Sequence, residues 1–345
     1  MTVEVRRADL ELDREPIIDA LSRFLTPAST AARYDWLYRS CPYGEARAWV
    51  AVDTRTHAII GVAGAFPRRL RGSDRAILAA WVLGDFCLDP RYRSLGPALQ
   101  LQRACLDAAN EEEVDLCYDF PSAEMLAVYR RLGITANHRV VRMARPLRVE
   151  RKLGELTGWA GAAKLIGPIG NRLLSLCYRQ AGHDNGLRVE AQVGEFGEEF
   201  TALDGRLAAQ AGVRAVRSAA YLNWRYLHNP LYRYDIVTVR RDGDLLGCGV
   251  FLRRDGDSML VDLFGVADER VLGAIVGWGV DLLTARNVQT LSVALTESHP
   301  WLPILSNQGF TPREPSPLMI YAPQQGSGGD AQQFRWCLMH GDRDS

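Results

Sequence analysis

The chain lacks an excess of either charge: 41 Lys and Arg balance 41 Asp and Glu over 345 residues. No global field therefore draws it to nucleic acid. It also lacks a cysteine framework. The seven cysteines are scattered, mostly in apolar settings such as Phe86-Cys87-Leu88 and Leu116-Cys117-Tyr118, and none forms a CxxC pair. An odd number without regular spacing indicates buried thiols in a reducing compartment. No cluster of His, Cys and carboxylates has ligand spacing, so no metal site is expected. Long uninterrupted apolar runs are missing too. Within residues 149–186, Gly158–Gly170 is broken by Lys164 and Pro168, with Arg172 just beyond, and falls short of a membrane-spanning helix. It reads as a helical linker packed between domains, with an interfacial helix resting on a membrane as the alternative. Met1–Asp13 holds no apolar export segment, so a cytoplasmic protein is expected.

What is present is apolar material, 47% of residues, enough for two cores. Residues 81–88 form a nearly continuous apolar run of strand length, which suits a strand covered on both faces. Pro97 then stands at the permitted first position of a helix, and Ala98, Leu101, Cys105 and Ala108 recur at helical spacing. Such a turn points backbone N–H groups and a partial positive charge outward, a phosphate-binding arrangement. Gly96 lets a ligand approach the backbone, and Arg91 and Arg93 add full charge. Downstream, Leu116–Phe120 reads as a short strand and Pro121-Ser122 as a helix start. Met125, Leu126, Tyr129 and Leu132 share an apolar face that ends at Gly133.

An internal repeat points to duplication of one α/β unit. Trp36-Leu-Tyr38-Arg-Ser-Cys-Pro42 is echoed by Trp224-Arg-Tyr226-Leu-His-Asn-Pro230. Each copy is followed by a strand (Ala48–Val52; Asp235–Val239) and a glycine-containing strand (Ile59–Ala65; Leu245–Leu252). Further on, Asp85-Phe86 corresponds to Asp262-Leu263, Pro121 to Pro300, and Arg131-Leu-Gly133-Ile134 to Asn307-Gln-Gly309-Phe310. The expected division is 1–148, a linker at 149–186, a second unit at 187–322, and a flexible linker with a docking segment, Phe334–Met339, at 323–345.

Arg93-Ser94-Leu95-Gly96-Pro97-Ala98 resembles the Arg/Gln-x-x-Gly-x-Gly/Ala loop with which the GNAT superfamily of acyl-CoA N-acyltransferases binds the pyrophosphate of coenzyme A. Leu88–Tyr92 fits that family's lead-in. Pro97 departs from the pattern and removes one N–H donor. Tyr129-Arg-Arg-Leu-Gly133-Ile134 resembles the family's Tyr-x-x-x-Gly-Phe ending. The resemblance implies an α/β (α+β) fold of two tandem GNAT-like domains, each a mixed, mostly antiparallel sheet flanked by helices. It implies acetyl-CoA as cofactor, with Tyr129 near the thioester sulfur as the acid that protonates the leaving thiolate. The pantetheine arm would lie along Gly84–Leu88, with Phe86 and Cys87 as backbone donors to the carbonyl oxygen and Leu88 beside them. Ser122 stands where the family often has an asparagine that touches that arm.

The base is Asp85 or Asp119 on adjacent strands, or a chain of waters. His138 reads as an exposed turn residue, and Arg68-Arg69-Leu-Arg71 as a solvated turn or a contact for an anionic acceptor. In the second unit, Asp268 and Glu269 precede the Arg-x-x-Gly, Ile275 takes the small-residue position, and Leu305 replaces the tyrosine. Cofactor binding is therefore expected only in the first unit. The expected function is acetyl transfer to a primary amine of a small molecule, such as an amino sugar or cell-envelope precursor, by direct attack in a ternary complex. Holding both reactants supplies about 7–11 kcal/mol in the best intramolecular models. The alternatives are a non-catalytic acyl-CoA-binding or assembly subunit, and a Fem-type aminoacyl transferase.

Overall fold

The computed structural model describes residues 3–92, 95–136, 138–148, 186–207, 212–254, 256–323 and 334–344. The expected helical linker, apart from Gly186, and most of the expected flexible linker lie outside these residues.

Strand β1 (Val3–Arg7) is followed by α1 (Arg14–Phe24) and α2 (Ala31–Tyr34), which continues into a π-helical turn, Asp35–Arg39. Next come β2 (Arg47–Asp53), β3 (Ile59–Arg71), β4 (Ile77–Leu88), α3 (Leu95–Glu111), β5 (Leu116–Asp119), α4 (Ala123–Arg131) and β6 (His138–Pro146). The later part holds β7 (Arg188–Ala191), α5 (Glu198–Arg206), β8 (Arg214–Ala215), and α6 (Ala219–Leu222) with its own π-helical turn, Asn223–Leu227. It ends with β9 (Tyr234–Arg241), β10 (Asp244–Leu252), β11 (Asp257–Gly265), α7 (Glu269–Ala285), β12 (Thr290–Thr296), α8 (Leu302–Asn307) and β13 (Thr311–Tyr321). Helix α3 begins at Leu95, so Pro97 lies inside its first turn and not at its first position. The correction costs no hydrogen bond, because first-turn N–H groups have no intrahelical acceptor.

The strands form one mostly antiparallel sheet in the order β1-β2-β3-β4-β5-β13-β6-β12-β11-β10-β9-β7, with β8 pairing β3. Only β4–β5 and β11–β12 are parallel, each joined through a 17-residue helix, α3 or α7. At the centre the chain crosses over. Strand β13 pairs with β5 through Met319–Tyr321 and with β6 through Thr311–Leu318, while β6 pairs with β12. A strand from residues 1–148 thus completes the later side of the sheet, and a strand from residues 187–322 completes the earlier side.

Residues 81–88 are apolar because both faces of β4 are covered. Trp81 and Leu83 pack under α3 and α4 with Leu101 and Tyr129, while Ala80 and Val82 pack with Tyr34, Tyr38 and Phe66 under α1 and α2. At the seam the repeated tryptophans meet. Trp36 and Trp224 stack at 5.0 Å, and each indole N–H donates to the other's carbonyl oxygen, at 2.8 and 2.9 Å. Among the described residues no helix is long and apolar enough to cross a membrane.

Candidate functional site

The site begins with a bulge. Against β3, Cys87 pairs with Val62 but Gly84 with Gly64, so Asp85 and Phe86 together oppose Ala63. Asp85 takes a left-handed conformation, φ +48°. The extra residue inverts the strand's facing: Phe86 and Leu88 pack where Trp81 and Leu83 do, and Cys87 joins the opposite core. The pairing of β4 with β5 stops at Val82–Tyr118. Beyond that point no ladder pairing joins the two strands; this break is the first notch, and the first turn of α3 follows β4 at its outer end.

Asp85 does not face this notch as a free carboxylate. It is 3% exposed, with Arg33 donating to its two oxygens at 2.8 and 2.6 Å and the Tyr38 hydroxyl at 2.9 Å. Its lone pairs hold the bulge, which removes it from the base role expected of it. Asp119, at the end of β5, is in the other situation. It accepts the Tyr129 hydroxyl at 2.8 Å, and burial pushes its carboxyl up to about 7 against that bond's opposing pull. Tyr129 is fully buried, its phenol pushed well up by burial and then by Asp119.

At the outer end, Gly96 is open: a Cβ built there meets nothing within 4 Å, so a ligand can reach this backbone. Leu95, Gly96 and Ala98 carry the N–H groups of this first turn, while Pro97 has none. The Arg91 side chain is 74% exposed and held by Asp89 at 2.7 Å. Arg93 and Ser94 lie outside the described residues. Cys87 and Leu88 are buried and Phe86 half-buried. Ser122 caps α4, its hydroxyl accepting the Met125 N–H at 3.2 Å, so that oxygen is already engaged. These features suit a phosphate-bearing thioester: an approachable helix N-terminus, an exposed arginine, and a gap between strands.

Several contributors were missed. Arg33 has no motif around it, whereas Tyr38 belongs to the Trp-x-Tyr repeat. Arg68 was read as a solvated turn; it is 2% exposed, its guanidinium 5.2 Å from the Trp224 ring and 5.9 Å from that of Tyr221. The tail, Phe334–Asp344, includes the expected docking segment Phe334–Met339, but where it runs was not legible. Val213 and Trp336 form a parallel bridge, Thr296 N–H donates to Leu338 at 3.0 Å, and Met339 bridges Leu295. The tail thereby enters a second notch, where β11 and β12 stop pairing at Leu260–Val293. There Asp262 mirrors Asp85, held by Arg217 at 2.7 and 3.0 Å and by the Tyr226 hydroxyl at 2.6 Å. Asp342 joins the same arginine at 2.7 Å. Beyond it, Tyr118 donates to the Asp342 carbonyl, Arg68 to Arg343 and Arg225 to Asp344. Asp344 reaches the first notch, where a methyl group added at Gly84 would collide with its carboxylate, and Arg343 lies 4.7 Å over the Phe120 ring.

No protein-family model and no curated protein matches the chain. Solved structures do. A protein of unknown function from Enterococcus faecalis, described as a probable N-acyltransferase, is similar with a TM-score of 0.65 at 12% identity, over 94% of this chain and 73% of that one. A GCN5-related N-acetyltransferase from Anabaena variabilis gives 0.65 at 14%, over 93% and 73%. The N-myristoyltransferase of Saccharomyces cerevisiae with bound myristoyl-CoA gives 0.61 at 12%, over 93% and 79%. At these identities the likeness is one of fold, and the fold is that of the GCN5-related N-acetyltransferases.

Proposed function

We propose that the protein is an N-acyltransferase that uses acetyl-CoA and a small primary amine, such as an amino sugar or cell-envelope precursor, at the first notch. The observation that carries this reading is the convergence at one notch of the Asp85 bulge, the approachable turn of α3 and the Asp119–Tyr129 pair. Leu95, Gly96 and Ala98 with Arg91 would hold the pyrophosphate, and Gly84–Leu88 would line the pantetheine arm. The bound thioester supplies an acyl carbon open to attack and a thiolate leaving group.

Asp119 takes the proton that the amine loses as the new C–N bond forms. A carboxyl held near 7 is matched to this task at neutral pH. Tyr129 gives its proton to the sulfur as the C–S bond breaks and regains one from Asp119 through their hydrogen bond. The pair thus moves one proton from amine to thiol, with no net change in either residue.

The residues 187–322 form, in this reading, a copy of the same unit without a cofactor site. Asp268 and Glu269 put negative charge at the start of α7, where a pyrophosphate would otherwise sit. Calorimetric titration with CoA and acetyl-CoA tests the proposal beside Gly96→Glu. Space around Gly96 lets that variant fold, while its carboxylate repels phosphate. One-per-chain binding lost in the variant is expected. Absence of binding to the unaltered protein overturns the reading.

A further inference from the structure

The tail does not fill the second notch completely. A cavity of about 40 Å³ remains beside Met339, walled by Leu207, Leu263, Phe264 and Trp301. That is about three times the room one enclosed water requires. Arg217 and His299 also line it. Arg217 is buried and holds Asp262 and Asp342 through Nε and Nη2, but its Nη1 has no hydrogen-bond partner among the described residues. His299 is buried too. Its Nδ1 accepts the Trp301 N–H at 3.3 Å, which places the ring proton on Nε2. No described residue bonds to that Nε2, and burial followed by Arg217 pushes the imidazole down to about 3, so the ring is neutral.

The nearby carboxylates are engaged elsewhere. Asp204 is held by Arg71 and Arg214, and Asp262 by Arg217 and Tyr226. Asp342, the remaining carboxylate, is ion-paired to Arg217 Nη2 and accepts the Met339 N–H. The cavity therefore presents two donors with no partner among the described residues, and apolar walls. An unpaired buried donor such as Arg217 Nη1 is costly, and a planar group with two acceptor oxygens can meet it and the His299 ring N–H together.

We propose that this cavity binds a small carboxylate of acetate or propionate size, with its oxygens between Arg217 Nη1 and His299 Nε2. The site is separate from the first notch and does not depend on what that notch binds. Its wall Met339 and the Arg217 partner Asp342 belong to the tail that continues to Gly84, so occupancy bears directly on that segment.

The test is NMR of the full chain with histidine labelled at Cε1, titrated with sodium acetate, propionate and octanoate, with sodium chloride at matched ionic strength. Acetate and propionate are expected to shift the His299 resonance saturably, with a Kd on the order of 1 mM, while octanoate and chloride leave it in place. Ala215→Leu adds bulk at a residue lining the cavity and is expected to abolish the shift with the fold retained by circular dichroism. The proposal is overturned if the shift never saturates, if chloride reproduces it, or if the folded Ala215→Leu protein still shows it in full. Should that variant not fold, the chain-length series on the unaltered protein decides, since equal response to octanoate also overturns the site.

Discussion

Asp119 differs from Asp85 in that its side-chain hydrogen-bond partner is a phenol, where Asp85 has a guanidinium as well as a phenol. Its carboxyl rises from 3.8 to about 7, first through burial. Activity is therefore expected to climb with pH through about 7, as the base form appears. Asp119→Asn should lose that limb and about 10²–10⁴ in rate, read in a pH profile of kcat/KM. Stability follows the opposite sign. The folded state holds the proton more tightly than the unfolded chain between about pH 4 and 7. Wild-type stability from this group is thus present at low pH and lost as pH rises through that window. The melting temperature of Asp119→Asn should overtake that of wild type above about pH 7. Tyr129→Phe should slow turnover while leaving the Kd for acetyl-CoA nearly unchanged, since the hydroxyl is assigned to proton transfer alone. Asp85→Ala is expected to cost about 3–5 kcal/mol in denaturant unfolding, because it strands the buried Arg33 charge.

The bulge in β4 explains what was and was not legible in the amino-acid order. The apolar run 81–88 announced a doubly covered strand, and both faces are indeed covered. The run has no alternation to betray its change of phase at Asp85, so that aspartate's direction could not be read from it. The Trp-x-Tyr repeat was visible, and the structure gives its reason: the tryptophans stack across the seam, and each tyrosine holds a buried aspartate, Asp85 or Asp262. Trp224→Ala should therefore cost about 3–5 kcal/mol, with the loss shared by both halves in hydrogen exchange. Ser122 stands at the helix start its position suggested, and its hydroxyl is taken up by the cap. The burial of Arg68 depends on rings from Tyr221 and Trp224, far away in the chain, which no local pattern encodes. Strand partners are likewise chosen by tertiary packing, and neither β6, whose first residue His138 reads as a turn, nor β13 stands out in the amino-acid order, so their crossing is hidden there.

That crossing makes the sheet one object at the scale of the whole molecule. Residues 1–148 alone would leave β5 without β13, and β6 without β12 and β13, exposing unpaired strand edges that invite aggregation. The fragment is expected to be insoluble when expressed alone, and to be rescued by co-expression with residues 186–345. Independent solubility with native-like circular dichroism would contradict this.

The crossing also sets a timetable. Nearly two hundred residues separate Asp119 from Thr311, roughly 10–40 s of synthesis at ordinary rates. For that interval the proposed base sits at the end of a strand paired on one side only, with β4. The tail residues that touch Gly84 emerge later still. A nascent chain on the ribosome therefore has its acyl-CoA loop long before it has a finished notch, and the proposed chemistry is withheld until the last strand has been made.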